Sequence, residues 1–114
     1  MSYKRADRAT ARAALLFAAL GDPTRLVLLQ QLSDRGPASI STLADRVPAM
    51  SRQGVTKHLL VLAAAGVVHG NRDGREHVWA LNPARLAEAR RHLDLIAREW
   101  DDALARLKRH VEHN

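Results

Sequence analysis

A chain of 114 residues and 12.6 kDa, 46% hydrophobic and 26% charged, suits one compact globular domain and not a disordered segment. Cysteine is absent, which excludes disulfides, thiolate nucleophiles, Cys-ligated zinc and iron–sulfur clusters. The 18 basic residues against 12 acidic ones leave a net charge of +6, which favours a polyanionic partner, either nucleic acid or an anionic membrane surface.

Aromatics are only 4%, so the core must come from Leu, Val, Ile and Ala. Six glycines and four prolines predict a mostly helical chain with few turns. No run of about 18 apolar residues is present to span a membrane. No apolar run of signal type follows Met1-Ser2-Tyr3-Lys4-Arg5, and the apolar residues 13–20 are short and closed by Asp22-Pro23. A soluble cytoplasmic protein is the expectation.

In chain order, Leu15, Leu16, Ala19 and Leu20 form the apolar face of a first helix. Asp22-Pro23-Thr24 reads as the start of a second, with Asp22 as N-cap and Pro23 in the first turn, where its missing N–H has no intrahelical partner to lose. Leu28, Leu29 and Leu32 are its buried face, and Gly36-Pro37 follows its end. Ile40, Leu43 and Val47 give a third, short helix, with Ser41 as its expected cap. Pro48 separates it from a fourth, capped by Ser51 and running to about Ala65, with Val55, Leu59 and Leu62 on one face. Gly66 suits the left-handed conformation at that helix's C-terminus.

Beyond Gly66 the apolar period drops to about two. Val67-Val68 opens a strand, Arg72-Asp73-Gly74-Arg75 is a tight-turn signal, and residues 77–81 form the returning strand with Trp79 and Leu81 toward the core. Asn82-Pro83 repeats the cap-and-proline device, and a helical pattern then runs nearly to the end. The expected architecture is mainly α with a small β-hairpin: four helices, two strands and a fifth helix in one domain over residues 1–114. Residues 8–82 form its core, 67–81 the hairpin and 83–112 the long helix.

Residues 42–47 and 52–65, joined around Pro48-Ala49-Met50, have the form of a helix-turn-helix. Val55, Leu59 and Leu62 turn inward, while Arg52, Gln53, Thr56 and Lys57 turn outward near the N-terminal end, the end that enters the major groove in such motifs. Arg pairs with guanine and Gln with adenine, whereas Lys57 suits a phosphate. Ser51 serves as cap, phosphate contact or both. Asn71, Arg72 and Arg75 make a basic hairpin tip suited to the backbone or minor groove. His69 and His77 are expected to lie across the hairpin from each other, as surface or DNA-facing residues and not metal ligands.

Three blocks resemble the ArsR family of winged helix-turn-helix repressors: Ala18-Ala19-Leu20-Gly21-Asp22-Pro23-Thr24-Arg25 with Leu28-Leu29-Gln30-Gln31-Leu32; Ser51-Arg52-Gln53-Gly54-Val55-Thr56-Lys57-His58-Leu59 with Leu62 and Ala65-Gly66-Val67-Val68; and Gly74-Arg75-Glu76 with Trp79-Ala80-Leu81. The likeness spans residues 13 to 110. It implies a winged helix-turn-helix fold and a homodimeric transcriptional repressor, with DNA contacts at Ser51, Arg52, Gln53, Thr56, Lys57 and His58 and the wing contacts at Arg72 and Arg75.

Many members of that family are released from DNA by metal ions, and this chain departs from their pattern. Residues 41–47 hold neither Cys nor His. The second metal site of the family lies on the last helix. Only His110, Glu112 and His113 approach it here, and Ala97 and Glu99 stand where the upstream Asp and His belong. No metal and no cofactor are therefore expected. The resemblance is to members without an evident sensor, which respond to an organic ligand, a partner protein or their own concentration.

From Pro83 on, Leu86, Leu93, Trp100 and Leu107 recur by sevens, as do Ala89, Ile96, Ala103 and His110 three residues later. Leu104 and Val111 widen the stripe. A helix of about 28 residues is roughly 42 Å long, longer than so small a domain is wide. Leu86, Leu93, Ile96, Trp100, Leu104 and Leu107 are thus the expected homodimer seam, and His92 on the same side is expected to be interfacial. Residues 1–83 hold +5 of the +6 charge.

A two-fold dimer would set two recognition helices about one DNA turn apart, on a palindromic operator. A catalytic reading finds no Cys nucleophile, no Gly-rich phosphate loop and no Ser beside a plausible His and Asp to support it. The rival readings are a winged-helix adaptor that binds protein and, more weakly, membrane-surface binding through Lys4, Arg5, Arg8 and Arg12.

Overall fold

The computed structural model describes residues 2–113, with the side chains of residues 8–113. Lys4 and Arg5 fall outside the described side chains. In chain order the elements are α1 (Ser2–Leu20), α2 (Pro23–Arg35), β1 (Ala38–Ser39), α3 (Ile40–Arg46), α4 (Arg52–Ala64), β2 (Val68–Asp73), β3 (Glu76–Leu81) and α5 (Pro83–Glu112).

The corner between α1 and α2 is built as its residues dictate. Asp22 is extended and its carboxylate accepts the Arg25 N–H at 3.0 Å, while Pro23 occupies the first turn. Arg25 then turns back, its Nε donating to the Ala19 carbonyl at 2.6 Å and its Nη2 to that of Ala18 at 3.3 Å, so the orphan carbonyls at the end of α1 are satisfied by the start of α2. The Asp22 carboxyl is held below its ordinary value of 3.8, first by the Arg25 N–H and then by the nearby positive charge of Arg25 and His58. Of the predicted apolar face of α1, Leu16 and Ala19 are buried and Leu20 half-buried, but Leu15 points to solvent.

α4 ends in a Schellman motif: Gly66, at φ 79°, donates its N–H to the Ala63 carbonyl, and Val67 donates to that of Leu62, both at 2.9 Å. Leu28, Leu32, Leu43, Val55, Leu59, Leu62, Val67 and Trp79 meet beneath the sheet as one core, and none of the described polar side chains is buried with them.

Several boundaries differ from expectation. The hairpin is part of a three-stranded antiparallel sheet of order β1-β3-β2, because Ala38 and Ser39 pair with Trp79 and Val78. Two residues are too few to announce a strand; a partner about forty residues away makes them one. The third helix is capped not by Ser41 but by Ser39, whose hydroxyl accepts the Thr42 N–H at 3.2 Å, so α3 begins two residues earlier. The hairpin turn is Gly74-Arg75, with Asp73 already paired to Glu76; only Gly74 has positive φ, the pattern of a turn with glycine at its first central position.

That register pairs His69 with Ala80 and Arg72 with His77, so the two histidines lie on opposite faces. Asn82 precedes α5 but does not cap it through its side chain; the amide donates to the Gly66 carbonyl at 3.0 Å.

α5 runs for 30 residues, about 45 Å. Its first turns dock on the domain: Ala89 is buried, Leu86 packs half-buried against the core, and His92 meets the Phe17 ring at 5.9 Å within the same chain. Beyond that point Leu93, Ile96, Trp100, Leu104, Leu107 and Val111 are exposed. No single described helix is long and apolar enough to cross a membrane.

Candidate nucleic-acid interface

The turn between α3 and α4 is short and locally closed. Val47 N–H bonds the Leu43 carbonyl at 3.0 Å, and Met50 N–H bonds that of Val47 at 2.9 Å. Ser51 then caps α4, its hydroxyl accepting the Gly54 N–H at 3.0 Å. A Cβ on residue 54 would sit only 3.3 Å from that hydroxyl, so glycine keeps the cap uncrowded. Capping and burial together orient the helix: Val55, Leu59 and Leu62 are fully buried, which forces the opposite face of α4 into solvent.

Arg52, Gln53 and Lys57 occupy that outward face at its N-terminal end, exposed, with no hydrogen-bonded or ion-paired side-chain partner among the described residues. Two of the sequence-predicted residues sit differently. The Thr56 hydroxyl donates to the Arg52 carbonyl at 2.9 Å and is half-buried. His58 is half-buried and near enough to Asp22 to depress its carboxyl, so it flanks α2 more than it extends the Arg52–Lys57 face. At the hairpin tip Arg72 and Arg75 are exposed and carry no ion pair.

The ion pairs among described residues lie elsewhere, on α1 and α5: Arg12 to Glu88 at 3.3 Å, Arg85 to Glu88 at 2.6 Å and Lys108 to Glu112 at 3.9 Å. Arg52, Lys57, Arg72 and Arg75 are therefore held in no ion pair among the described residues, although Asp73 and Glu76 share the hairpin tip. That leaves them available to phosphates, whose displaced counterions drive such binding.

Sequence reading missed the junction at Arg85. Its Nε donates to the Ala65 carbonyl at 2.8 Å, its Nη1 to Glu88 and its Nη2 to the Arg12 carbonyl at 3.1 Å. Only the Arg85–Glu88 spacing hints at this; the other two partners are 20 and 73 residues distant. No group of three or more His, Cys, Asp or Glu side chains among the described residues is placed to hold a metal ion.

A helix-turn-helix followed by a hairpin with a basic tip, on a small helical core, defines the winged helix-turn-helix class. A helix-turn-helix domain family profile matches residues 20–71. The chain is 36% identical over 103 residues to an HTH-type transcriptional regulator of Mycobacterium tuberculosis, covering 90% of this chain and 85% of that one. Its fold is similar to that of an ArsR-like transcriptional regulator from Rhodococcus sp. RHA1, with a TM-score of 0.78 and 42% identity over 88% of this chain and 92% of that one. It also resembles the homodimeric winged helix-turn-helix DNA-binding domain of a possible ArsR-family regulator from Mycobacterium bovis, at TM-score 0.67, 21% identity and 83% and 86% coverage.

The chain belongs to the ArsR family: it is a transcriptional regulator with a winged helix-turn-helix DNA-binding domain.

Proposed function

We propose that the chain is a homodimeric repressor that binds an imperfectly palindromic operator, each protomer inserting the N-terminal end of α4 into the major groove. The observation that carries this reading is the solvent-facing, unpaired set Arg52, Gln53 and Lys57 at that end. Arg52 and Gln53 read base edges; Ser51, Thr56, Lys57 and His58 meet backbone or flanking groups; Arg72 and Arg75 engage the DNA from the wing. A dimer seated on its operator acts most simply by blocking polymerase.

Two-fold pairing is supported by the exposed apolar stripe of α5, from Leu93 through Leu107, and by the homodimeric Mycobacterium bovis neighbour. Such a dimer presents its two recognition helices one helical turn apart, about 10 base pairs.

Selection of bound sequences from random duplex DNA tests the reading. The expected result is an inverted repeat with that half-site spacing and an affinity that falls steeply with salt. Absence of any enriched motif overturns it.

An adaptor role predicts apolar residues on the outward face of α4, where Arg52, Gln53 and Lys57 stand. Arg52→Ala combined with Lys57→Ala separates the two. A DNA reader loses about 1–3 kcal/mol from the arginine and about one unit of salt slope from the lysine. An adaptor keeps its partner.

A further inference from the structure

A cleft of about 240 Å³ lies between α1 and the first turns of α5, within a single chain and ahead of the exposed apolar stripe. Its floor is Leu16 with small alanines of α1, and its walls carry Arg12, Arg85, Arg91, His92 and Glu88. Three guanidiniums and an imidazole therefore face one carboxylate. Glu88 is already committed: its Oε2 accepts from both Arg12 and Arg85. Those two bonds, Arg85 first, hold its carboxyl below the ordinary 4.5, so it stays ionised with its single charge shared between two guanidiniums, and it forms no ion pair with Arg91.

Arg91 has no hydrogen-bonded or ion-paired partner among the described residues, and His92 makes only the ring contact with Phe17. The Arg85 side chain is 11% exposed, so the positive field at the inner end of the cleft is poorly screened by water.

A cleft with an apolar floor and a surplus of positive charge suits an anion with an apolar body. At about 30 Å³ per water-sized group, it holds roughly eight such groups, the scale of one ring and one acid group. A guanidinium grips a carboxylate through two parallel hydrogen bonds, which Arg91 is free to make. We infer that this α1–α5 cleft is a binding site for a small organic carboxylate with a flat apolar body, held by Arg91 and His92 over Leu16.

The site is coupled to α4 through direct hydrogen bonds. Arg85 bonds the Ala65 carbonyl at the C-cap of α4 and the Arg12 carbonyl of α1, so an anion that draws the Arg12 guanidinium away from Glu88 alters the anchor of the recognition helix. This regulatory consequence rests on the DNA-binding reading above; the binding site does not.

The test is calorimetric titration of the full-length protein, without DNA, with sodium benzoate and with benzamide as its neutral isostere. The expected result is saturable benzoate binding, one per chain, at millimolar affinity or tighter, with benzamide at least about tenfold weaker. Arg91→Ala, an exposed change, should weaken benzoate by about tenfold or more, and Ala13→Leu, which fills the cleft, should abolish binding. Both variants are checked for unchanged helical circular dichroism.

No saturable heat up to about 10 mM benzoate overturns the proposal. So does equal affinity for benzamide, or binding unaffected by either substitution. Native protein that binds benzoate but selects no DNA sequence keeps the site and removes only its regulatory meaning. Native protein that selects an operator but ignores benzoate removes the site and leaves the repressor.

Discussion

At residue 70 of β2 a Cβ would be driven into the imidazole of His77, which lies over the glycine and stacks on Trp79 at 4.8 Å with the rings 24° apart. Gly70 pairs with Trp79 and Arg72 with His77, so one face of the hairpin carries a glycine gap, two stacked rings and a wing arginine. The gap allows the stack, and the stack fixes the strand that bears the hairpin tip. Gly70→Ala should therefore displace His77 and cost about 0.5–1.5 kcal/mol, the worth of such a ring pair. In a double-mutant cycle with His77→Ala, read by thermal unfolding, most of that cost should vanish. Additive losses would show that the two residues act independently.

The residue scale also explains what was legible around α4. Val55, Leu59 and Leu62 mark the buried face by spacing alone, and the outward positions of Arg52, Gln53 and Lys57 follow from it. The roles of Thr56 and His58 were not legible. A back-bonded hydroxyl and a histidine beside Asp22 depend on which carbonyl and which helix stand nearby.

Among the elements, α4 and α5 depend most on how they are anchored. Ser51 closes the N-terminus of α4, and its replacement by alanine should cost about 1 kcal/mol of stability. Because the same cap sets the helix end proposed to enter DNA, operator affinity in Ser51→Ala should fall along with the melting temperature; an affinity that stays at the native level would separate capping from recognition.

At the other end, Arg85 binds the α4 C-cap, α1 and Glu88 at once. Glu88 is ionised more readily in the folded protein than its ordinary 4.5 would imply, chiefly through Arg85. Its contribution is complete above that value and is lost as acid protonates it. The melting temperature should drop as pH falls below about 4.5, and Glu88→Gln should flatten that acid limb while lowering the plateau modestly. An acid limb unchanged in Glu88→Gln would assign it to other carboxylates, Asp22 foremost.

The whole molecule measures 67 × 33 × 19 Å, with a radius of gyration of 18.8 Å. A compact domain of this length would have about 13 Å. The excess reflects the distal part of α5, whose apolar stripe is left exposed among the described residues. Trp100, 65% exposed, sits on that stripe, and water around so large an apolar side chain favours covering it. Trp100→Glu should give a monomer by sedimentation and lose operator binding, although α3 and α4 are untouched. Native protein that sediments as a monomer and still binds its operator would refute the dimer.

Helix positions, the inward face of α4 and the basic balance of residues 1–83 could be read from the chain because they rest on local periodicity, capping residues and charge counts, which need no knowledge of distant partners. The third strand, the turn register that separates His69 from His77, the Ser39 cap, the turning of Leu86 and His92 into their own domain and the junction at Arg85 were decided only in three dimensions. Each joins atoms far apart along the chain or depends on a shift of one or two residues. Such pairings are selected by burial and hydrogen-bond satisfaction across the assembled core, not by the preferences of the residues themselves.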